Sequence, residues 1–294
     1  MMVAAQVEGR VLKNYSGFYY VQDSNLNIHE CRVRGKLKEN IITGDRVIIS
    51  LLEEGKGILE KILPRNNQLY RPKVANVSLV LIIMAHDRPR PSLSLLDRLL
   101  LLAEHSHLST CIVLNKCDLS GNKEIDDIMD YYPRAGYSVL KVSARDGIGL
   151  DILRDKIQGE VAVMAGSSGA GKSSLFNQLI GRNLMPTQEV SDKIRRGKHT
   201  TRHVELHPLT NGACLVDTPG FSVLDIPRMR REELTHYFPD FIFHTQDCRF
   251  ADCIHYKEND CGVKKAVGEK KILAQRYNNY IAMLEEVIEN ERCY

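Results

Sequence analysis

The sequence predicts an α/β chain in three parts: a small five-stranded barrel, a doubly wound α/β domain and a helical segment bearing a cysteine–histidine cluster. Three observations carry this. Short strand-like runs crowd residues 6–62, buried-type strands alternate with helices from Val77 to Ile180, and a run of cysteines with a histidine lies between Cys248 and Cys261.

The barrel strands are expected at Gln6–Lys13, Phe18–Gln22, Ile28–Val33, Arg46–Leu52 and Gly57–Ile62, punctuated by Gly17, Gly35, Gly44-Asp45 and Gly55. Five short strands in this space suggest an OB-fold, and an SH3-like barrel would show the same pattern. Pro64-Arg65-Asn66-Asn67 breaks the pattern. The α/β strands are expected at Val77–Ala85, Thr110–Asn115, Ser138–Val142 and Val161–Ala165, all β-branched or aliphatic runs suited to a buried sheet. Helices Leu93–Glu104, Lys123–Tyr131 and Leu150–Ile157 lie between them, a helix Lys172–Ile180 follows a Gly-rich turn, and two further strands are read at Val204–Leu209 and Ala213–Val216. From about Ile226 the chain reads as helical. There Ile272, Tyr277, Tyr280, Ile281, Leu284, Val287 and Ile288 trace one face, expected to be packed core. The expected domains are therefore 1–64, 65–223 and 224–294.

Composition bounds the class. With 294 residues, 43% hydrophobic and 26% charged, the chain reads as soluble and globular, and a net charge of +3 does not by itself announce a nucleic-acid partner. Residues 1–13 lack the basic head and apolar core of a signal peptide, and Val77–Ala85 is far short of the ~20 residues of a spanning helix. The expectation is a cytoplasmic protein, monomeric and without a membrane partner. Its 8 cysteines sit in a reducing compartment and form no disulfides.

Gly166-Ser167-Ser168-Gly169-Ala170-Gly171-Lys172-Ser173, with Ser174 after it, fits the phosphate-binding loop, between a strand and a helix as that loop requires. Glycines let backbone N–H groups curl round phosphates at the positive end of a helix. Lys172 supplies a point charge to the β/γ oxygens, and the Ser173 hydroxyl is expected to ligate Mg²⁺. The four fixed positions recur by chance in roughly 1% of chains this long. Asp217-Thr218-Pro219-Gly220 follows a strand, so Asp217 is expected to hold the Mg²⁺ hydration shell and the Gly220 N–H to meet the γ-phosphate. Between these motifs, Thr200 and Thr201 are both carried as the γ-phosphate sensor.

Asn115-Lys116-Cys117-Asp118 ends a strand and matches the guanine-reading pattern. A carboxylate at Asp118 accepts from N1–H and the 2-amino group, a donor pair that adenine lacks. Ser143-Ala144, after the next strand, matches the loop that meets guanine O6. Together these point to a GTPase. The base motifs precede the phosphate motifs, the reverse of the ordinary order, which predicts a circularly permuted P-loop GTPase domain whose C-terminal exit leads into the last segment. Phe221 stands where many GTPases carry a water-orienting glutamine, and His199 is the candidate substitute. A P-loop kinase or ATPase is disfavoured by Asp118; a non-catalytic GTP-gated RNA-binding scaffold is disfavoured by Lys172, Ser173 and Asp217.

Cys248, Cys253, His255 and Cys261 give four soft or borderline ligands, a Cys₃His set suited to one structural zinc; a free-thiol or redox cluster is the alternative. Arg32, Arg34, Lys36 and Lys38, and again Arg195, Arg196, Lys198 and Arg202, form basic clusters suited to RNA phosphates, although such runs are commonly just solvated faces.

With these residues laid out, the chain resembles the RsgA/YjeQ family of circularly permuted GTPases of small ribosomal subunit biogenesis. The likeness runs through Gly9-Arg10-Val11, Gly17–Val21, Leu69–Pro72, Ala75–Val77, the motifs above including Gly197–Thr201, and Arg276-Tyr277 with Tyr280. Ser167 and Ala170 stand where relatives often carry Gln and Val, and neither side chain is needed to hold phosphate. The resemblance implies an OB-fold, a permuted G domain and a zinc domain. It also implies binding to the small subunit and its rRNA late in assembly, with GTP hydrolysis stimulated by that subunit and GDP as product.

Overall fold

The computed structural model describes residues 5–33, 40–70, 72–119, 123–181, 204–217 and 225–292. They form two compact units, 1–79 with 153–164 and 176–222, and 80–152 with 165–175 and 223–294.

In the first unit, β1 (Gln6–Tyr15), β2 (Phe18–Asp23), β3 (Ile28–Val33), β4 (Arg46–Leu51) and β5 (Lys56–Ile62) close a barrel in the order β1-β2-β3-β5-β4. β1 pairs antiparallel with both β2 and β4, while β3 runs parallel to β5. That parallel pair is the OB connectivity and settles the choice left open between the two barrels. Alternate residues point inward, so Val11, Val21, Cys31, Val47, Ile49, Leu59 and Ile62 fill the interior with Ile41. Burying each aliphatic side chain contributes about 1.5–3 kcal/mol.

A hairpin of β6 (Gln68–Tyr70) and β7 (Lys73–Ala75) follows. It is tied to the barrel by side chains of the segment expected as a plain break. Arg65 donates to both oxygens of the fully buried Asp45, at 2.6 and 2.8 Å, and Asp45 also accepts from the Ile42 N–H at 2.8 Å. Asn76 donates to the Gly44 carbonyl at 3.0 Å, and the Ala75 N–H donates to the Thr43 carbonyl at 2.9 Å. The same unit holds β11 (Val161–Ala165, to Met164), β12 (Glu205–Pro208) and β13 (Cys214–Asp217), in the order β11-β13-β12; β12 is antiparallel to β13.

The second unit contains β8 (Leu79–Ala85, from Val80), β9 (Ser109–Asn115) and β10 (Ser138–Lys141), in the order β10-β9-β8, with β9 and β10 parallel. Helices α1 (Leu93–His105) and α2 (Lys123–Met129) and the start of α3 (Leu150–Lys156) belong to this run. β8 is buried along its whole length, as a strand covered on both faces must be. α4 (Lys172–Ile180) begins in this unit. The C-terminal part of the second unit packs α5 (Pro239–Thr245), α6 (Gly262–Gly268) and the long α7 (Ala274–Arg292) round a core of Phe238, Phe241, Tyr280, Leu284 and Val287 that also takes in Leu101 of α1. The expected stripe is packed core, with Ile272, Tyr280, Leu284 and Val287 inside it. Tyr277, Ile281 and Ile288 lie on its flank, whereas Arg276 and Asn279 are buried.

Candidate functional site

The phosphate-loop motif sits where β11 ends. Gly166 turns with φ +130°, and a Cβ there would lie 2.0 Å from the Ile83 carbonyl oxygen, so only glycine fits. At the other end Gly171 has φ +93°, and a Cβ would lie 2.2 Å from Asn115 Nδ2. α4 starts at the next residue, Lys172, so the loop leads straight into a helix N-terminus, whose first N–H groups have no partner within the helix. Lys172 Nζ folds back to donate to the Gly166 and Ser167 carbonyls at 2.9 and 2.7 Å, and burial lowers its pKa. A half-buried ammonium whose charge is disfavoured by burial suits an anion better than two neutral carbonyls. Ser167, Gly169, Ser173 and Ser174 are half-buried, Ser168 is exposed and Ala170 is buried.

The expected base-reading residues lie against this loop. Asn115 is 1% exposed; its Oδ1 accepts from the Ala144 N–H at 3.1 Å and its Nδ2 donates to the Ala170 carbonyl at 2.9 Å. One side chain thus ties the β9 end, the Ser143-Ala144 loop and the phosphate loop together. The bond to Ala170 is not readable from the motif, because it requires knowing that the two loops meet. Ser143 is fully buried, and its hydroxyl donates to Asp118 Oδ1 at 2.7 Å while accepting from the Asp146 N–H at 3.0 Å. This orients the Asp118 carboxylate and leaves Oδ2 for another donor. Lys116 takes a left-handed φ of +65° and its Nζ donates to the Arg88 carbonyl at 2.7 Å. The Cys117 N–H bonds the Val142 carbonyl at 3.1 Å, and burial raises the thiol pKa.

In the other unit, Asp217 ends β13 half-buried, with its pKa raised by burial. His207 Nε2, buried and without a hydrogen-bond partner, is 3.9 Å from its Oδ2. Ser173 lies on the first turn of α4, in the second unit. His199, Thr200, Thr201, Gly220 and Phe221 lie outside the described residues, as do Arg34, Lys36, Lys38, Arg195, Arg196, Lys198 and Arg202. Arg32 is described; it is exposed, with its guanidinium 4.5 Å from the Phe18 ring centroid.

The four expected metal ligands do converge. The Sγ atoms of Cys248, Cys253 and Cys261 lie 3.6, 3.4 and 3.3 Å from His255 Nδ1, and Cys248 Sγ is 4.0 Å from Cys261 Sγ. Tetrahedral zinc with bonds of about 2.3 Å to sulfur and 2.0–2.1 Å to nitrogen sets edges of roughly 3.8 Å for S–S and 3.5 Å for S–N, so the donor set fits the ion. Burial pushes the Cys253 thiol up to about 12 and the His255 imidazole down to about 4. A bound cation reverses that preference for the thiols. N–H groups of Gly262 and Lys264 point at the sulfurs of Cys248 and Cys261, at 3.3 and 3.5 Å. Tyr277 and Tyr280 on α7 donate their phenol protons to the carbonyls of His255 and Ile254, at 2.7 and 3.0 Å.

The RsgA GTPase family model matches residues 62–227, and the RsgA N-terminal domain model matches residues 8–59. The chain belongs to the RsgA GTPase family. Among its relatives, a protein named small ribosomal subunit biogenesis GTPase RsgA, from Clostridium botulinum (strain Eklund 17B / Type B), is 44% identical over 290 residues, covering 97% of this chain and 99% of the relative. A protein of the same name from Carboxydothermus hydrogenoformans is 45% identical over 290 residues, with the same coverage of 97% and 99%. The crystal structure of YjeQ from Thermotoga maritima superposes with a TM-score of 0.80 at 35% identity, covering 97% of this chain and 99% of that one. That of YloQ, described as a circularly permuted GTPase, gives 0.82 at 32% identity, covering 98% and 97%. The fold of this family member is accordingly the circularly permuted GTPase fold, with an OB-like barrel in front and a Cys₃His cluster able to hold a metal ion behind.

Proposed function

We propose that this GTPase acts in small ribosomal subunit biogenesis, binding the small subunit and its rRNA late in assembly and hydrolysing GTP under that subunit's stimulation. The proposal includes a cytoplasmic monomer, domains at 1–64, 65–223 and 224–294, and one structural zinc on Cys248, Cys253, His255 and Cys261. Relatives bearing that function in their names, 44% and 45% identical across 97% of the chain, support it. Among the described residues no helix is long and apolar enough to cross a membrane.

The observation that carries the site assignment is Asn115, whose two hydrogen bonds join the base loops to the phosphate loop. In this reading the free oxygen of Asp118 accepts from the guanine ring edge, Ala144 offers a backbone N–H to O6, and Lys116 lies along the base. The N–H groups of 166–173 and the Gly220 N–H take the phosphate oxygens. Lys172 exchanges its two neutral carbonyl partners for anionic β/γ oxygens, a gain because an ammonium disfavoured by burial then faces an opposite charge. Ser173, Thr200 or Thr201, and Asp217 through water would hold Mg²⁺, which when bound neutralises charge developing on the transferred phosphoryl group. His199 is the candidate for orienting water, since Phe221 has no polar atom. Arg32, Arg34, Lys36, Lys38, Arg195, Arg196, Lys198 and Arg202 are the proposed rRNA contacts.

Phosphate release from GTP, measured alone and with small subunits, large subunits or bare RNA, tests the reading. Stimulation by small subunits specifically is expected; equal rates in all four arms would reject the proposed partner.

A further inference from the structure

α7 enters the C-terminal core with a buried arginine where a helix of this amphipathicity would ordinarily place an aliphatic residue. Arg276 is 1% exposed. Its Nε and Nη2 form a fork onto the two oxygens of Asp240 in α5, both at 2.8 Å, and its Nη1 donates to Asp97 Oδ1 in α1 at 2.7 Å. The remaining capacity of these carboxylates is used as well. Asp97 accepts from Tyr132 OH at 3.0 Å and from Asn279 Nδ2 at 2.6 Å, and Asp240 accepts from Tyr131 OH. The guanidinium also packs against the rings of Phe238, Tyr137 and Tyr132, at 4.7, 5.5 and 5.8 Å.

Two charges of one sign and one of the other, all buried, hold together only while every partner is in place, because removing one leaves an uncompensated charge. The partners come from three directions. Asp97 is on α1, the three tyrosines are on the segment leading into β10, and Asp240 is on α5 of the metal-bearing segment. The next residue of α7, Tyr277, and then Tyr280 hold the backbone of the Cys/His cluster itself at His255 and Ile254. Tyr137 immediately precedes β10, which runs in register with β9 from Ser138↔Cys111 to Lys141↔Leu114. That register delivers Ser143 to Asp118 and Ala144 to Asn115. One turn of α7 is therefore fastened both to the metal ligands and to the strand that carries the base loop.

We infer that Arg276 is a positioning residue that makes metal binding at the Cys/His cluster and guanine-nucleotide binding mutually dependent. The inference rests on the reading of those two sites given above. Ordering of the cluster by metal fixes the first turn of α7, which fixes Asp97 and the tyrosine segment, and with them the β10 register. Nucleotide bound at Asp118 and Ala144 fixes the same register from the other end. Linkage requires each ligand to raise the other's affinity by one common factor, and couplings of this kind are typically about 5–150-fold.

The test uses the full chain. Zinc affinity is measured by competition with a chelator, with and without saturating GDP. GDP affinity is measured by calorimetry on the zinc-loaded and zinc-stripped chain. Binding of GDP and of one zinc per chain, determined first, checks the two sites themselves. The expectation is that GDP tightens zinc and zinc tightens GDP by the same factor, about fivefold or more. Arg276→Lys keeps the charge but loses the fork; it should still bind one zinc while the two affinities become independent. Zinc affinity indifferent to GDP in the unaltered chain would overturn the coupling while leaving both sites standing. This measurement decides even if the lysine variant fails to fold. Undiminished coupling in a folded Arg276→Lys would overturn the assignment to Arg276.

Discussion

Replacing Asn115 should damage two loops at once. Asn115→Ala leaves the Ala144 N–H and the Ala170 carbonyl, paired at 3.1 and 2.9 Å, without their partner in a region where Asn115 itself is 1% exposed. Each stranded buried group costs about 1–3 kcal/mol, so the pair sums to about 2–6 kcal/mol, divided between folding stability and nucleotide affinity. If all of it fell on affinity, GTP binding would weaken by roughly 30-fold to 10⁴-fold. Urea denaturation with and without saturating GDP separates the shares, since the GDP-free curve reports stability and the difference reports binding. Asn115→Asp refines the test. It keeps the acceptor for Ala144 but turns an anion toward the Ala170 carbonyl, so it should be no better than alanine for the phosphate loop. If Asn115→Ala lowers stability and GDP binding together by less than about 1 kcal/mol, the junction reasoning is wrong.

Three further outcomes follow from the same geometry. Asp118→Asn should lose GTP affinity and gain xanthosine triphosphate, because an amide donates to the extra carbonyl; competition binding with the two nucleotides reads this, and a retained GTP preference would reject the base site. Cys253→Ala should abolish the single equivalent of zinc found by metal analysis of the purified protein, since three donors at 3.3–3.6 Å from His255 Nδ1 become two. Asp126 is held below the ordinary carboxylate range by its hydrogen bond from Lys141 at 2.7 Å and then by His86. Its folded pKa being the lower one, its stabilisation is complete above about pH 4 and lost as pH falls through the lowered value. Asp126→Asn should therefore cost under about 1 kcal/mol at neutral pH, the pair being partly exposed, and progressively less as pH falls through the lowered value; a cost that does not change with pH would refute the charge argument.

Much of the fold was readable because its elements obey simple periods. The barrel strands alternate, β8 and β11 are continuous apolar runs, and the motif glycines occupy positions that admit nothing larger. What escaped has a common physical origin in contacts between distant positions. β6 and β7 are three residues each, too short for any period to register. The apolar stripe of α7 is packed core as its period predicts, but the burial of Arg276 beside it escaped, because periodicity assumes that arginine faces water, whereas Asp97 and Asp240 neutralise it from 179 and 36 residues away. At the candidate site the motifs name Asn115, Asp118, Ser143 and Lys172, but no motif tells that the Ala170 carbonyl accepts from Asn115 or that a nitrogen of His207 is buried near Asp217.

The clasp of Arg65 on Asp45 bears on where this chain can be cut. The change in sequence texture at Pro64 invites a fragment ending there, yet such a piece would discard the guanidinium that neutralises a fully buried carboxylate. Losing one member of a buried pair costs on the order of 3 kcal/mol, a large share of what a bead of five short strands can spare. Asn76 and the Ala75 N–H, which seal Gly44 and Thr43, would go with it. The barrel domain thus leans on contacts from the segment that follows it, and limited proteolysis should spare the chain at residues 65–68 and 74–76 even though that segment looks like a linker.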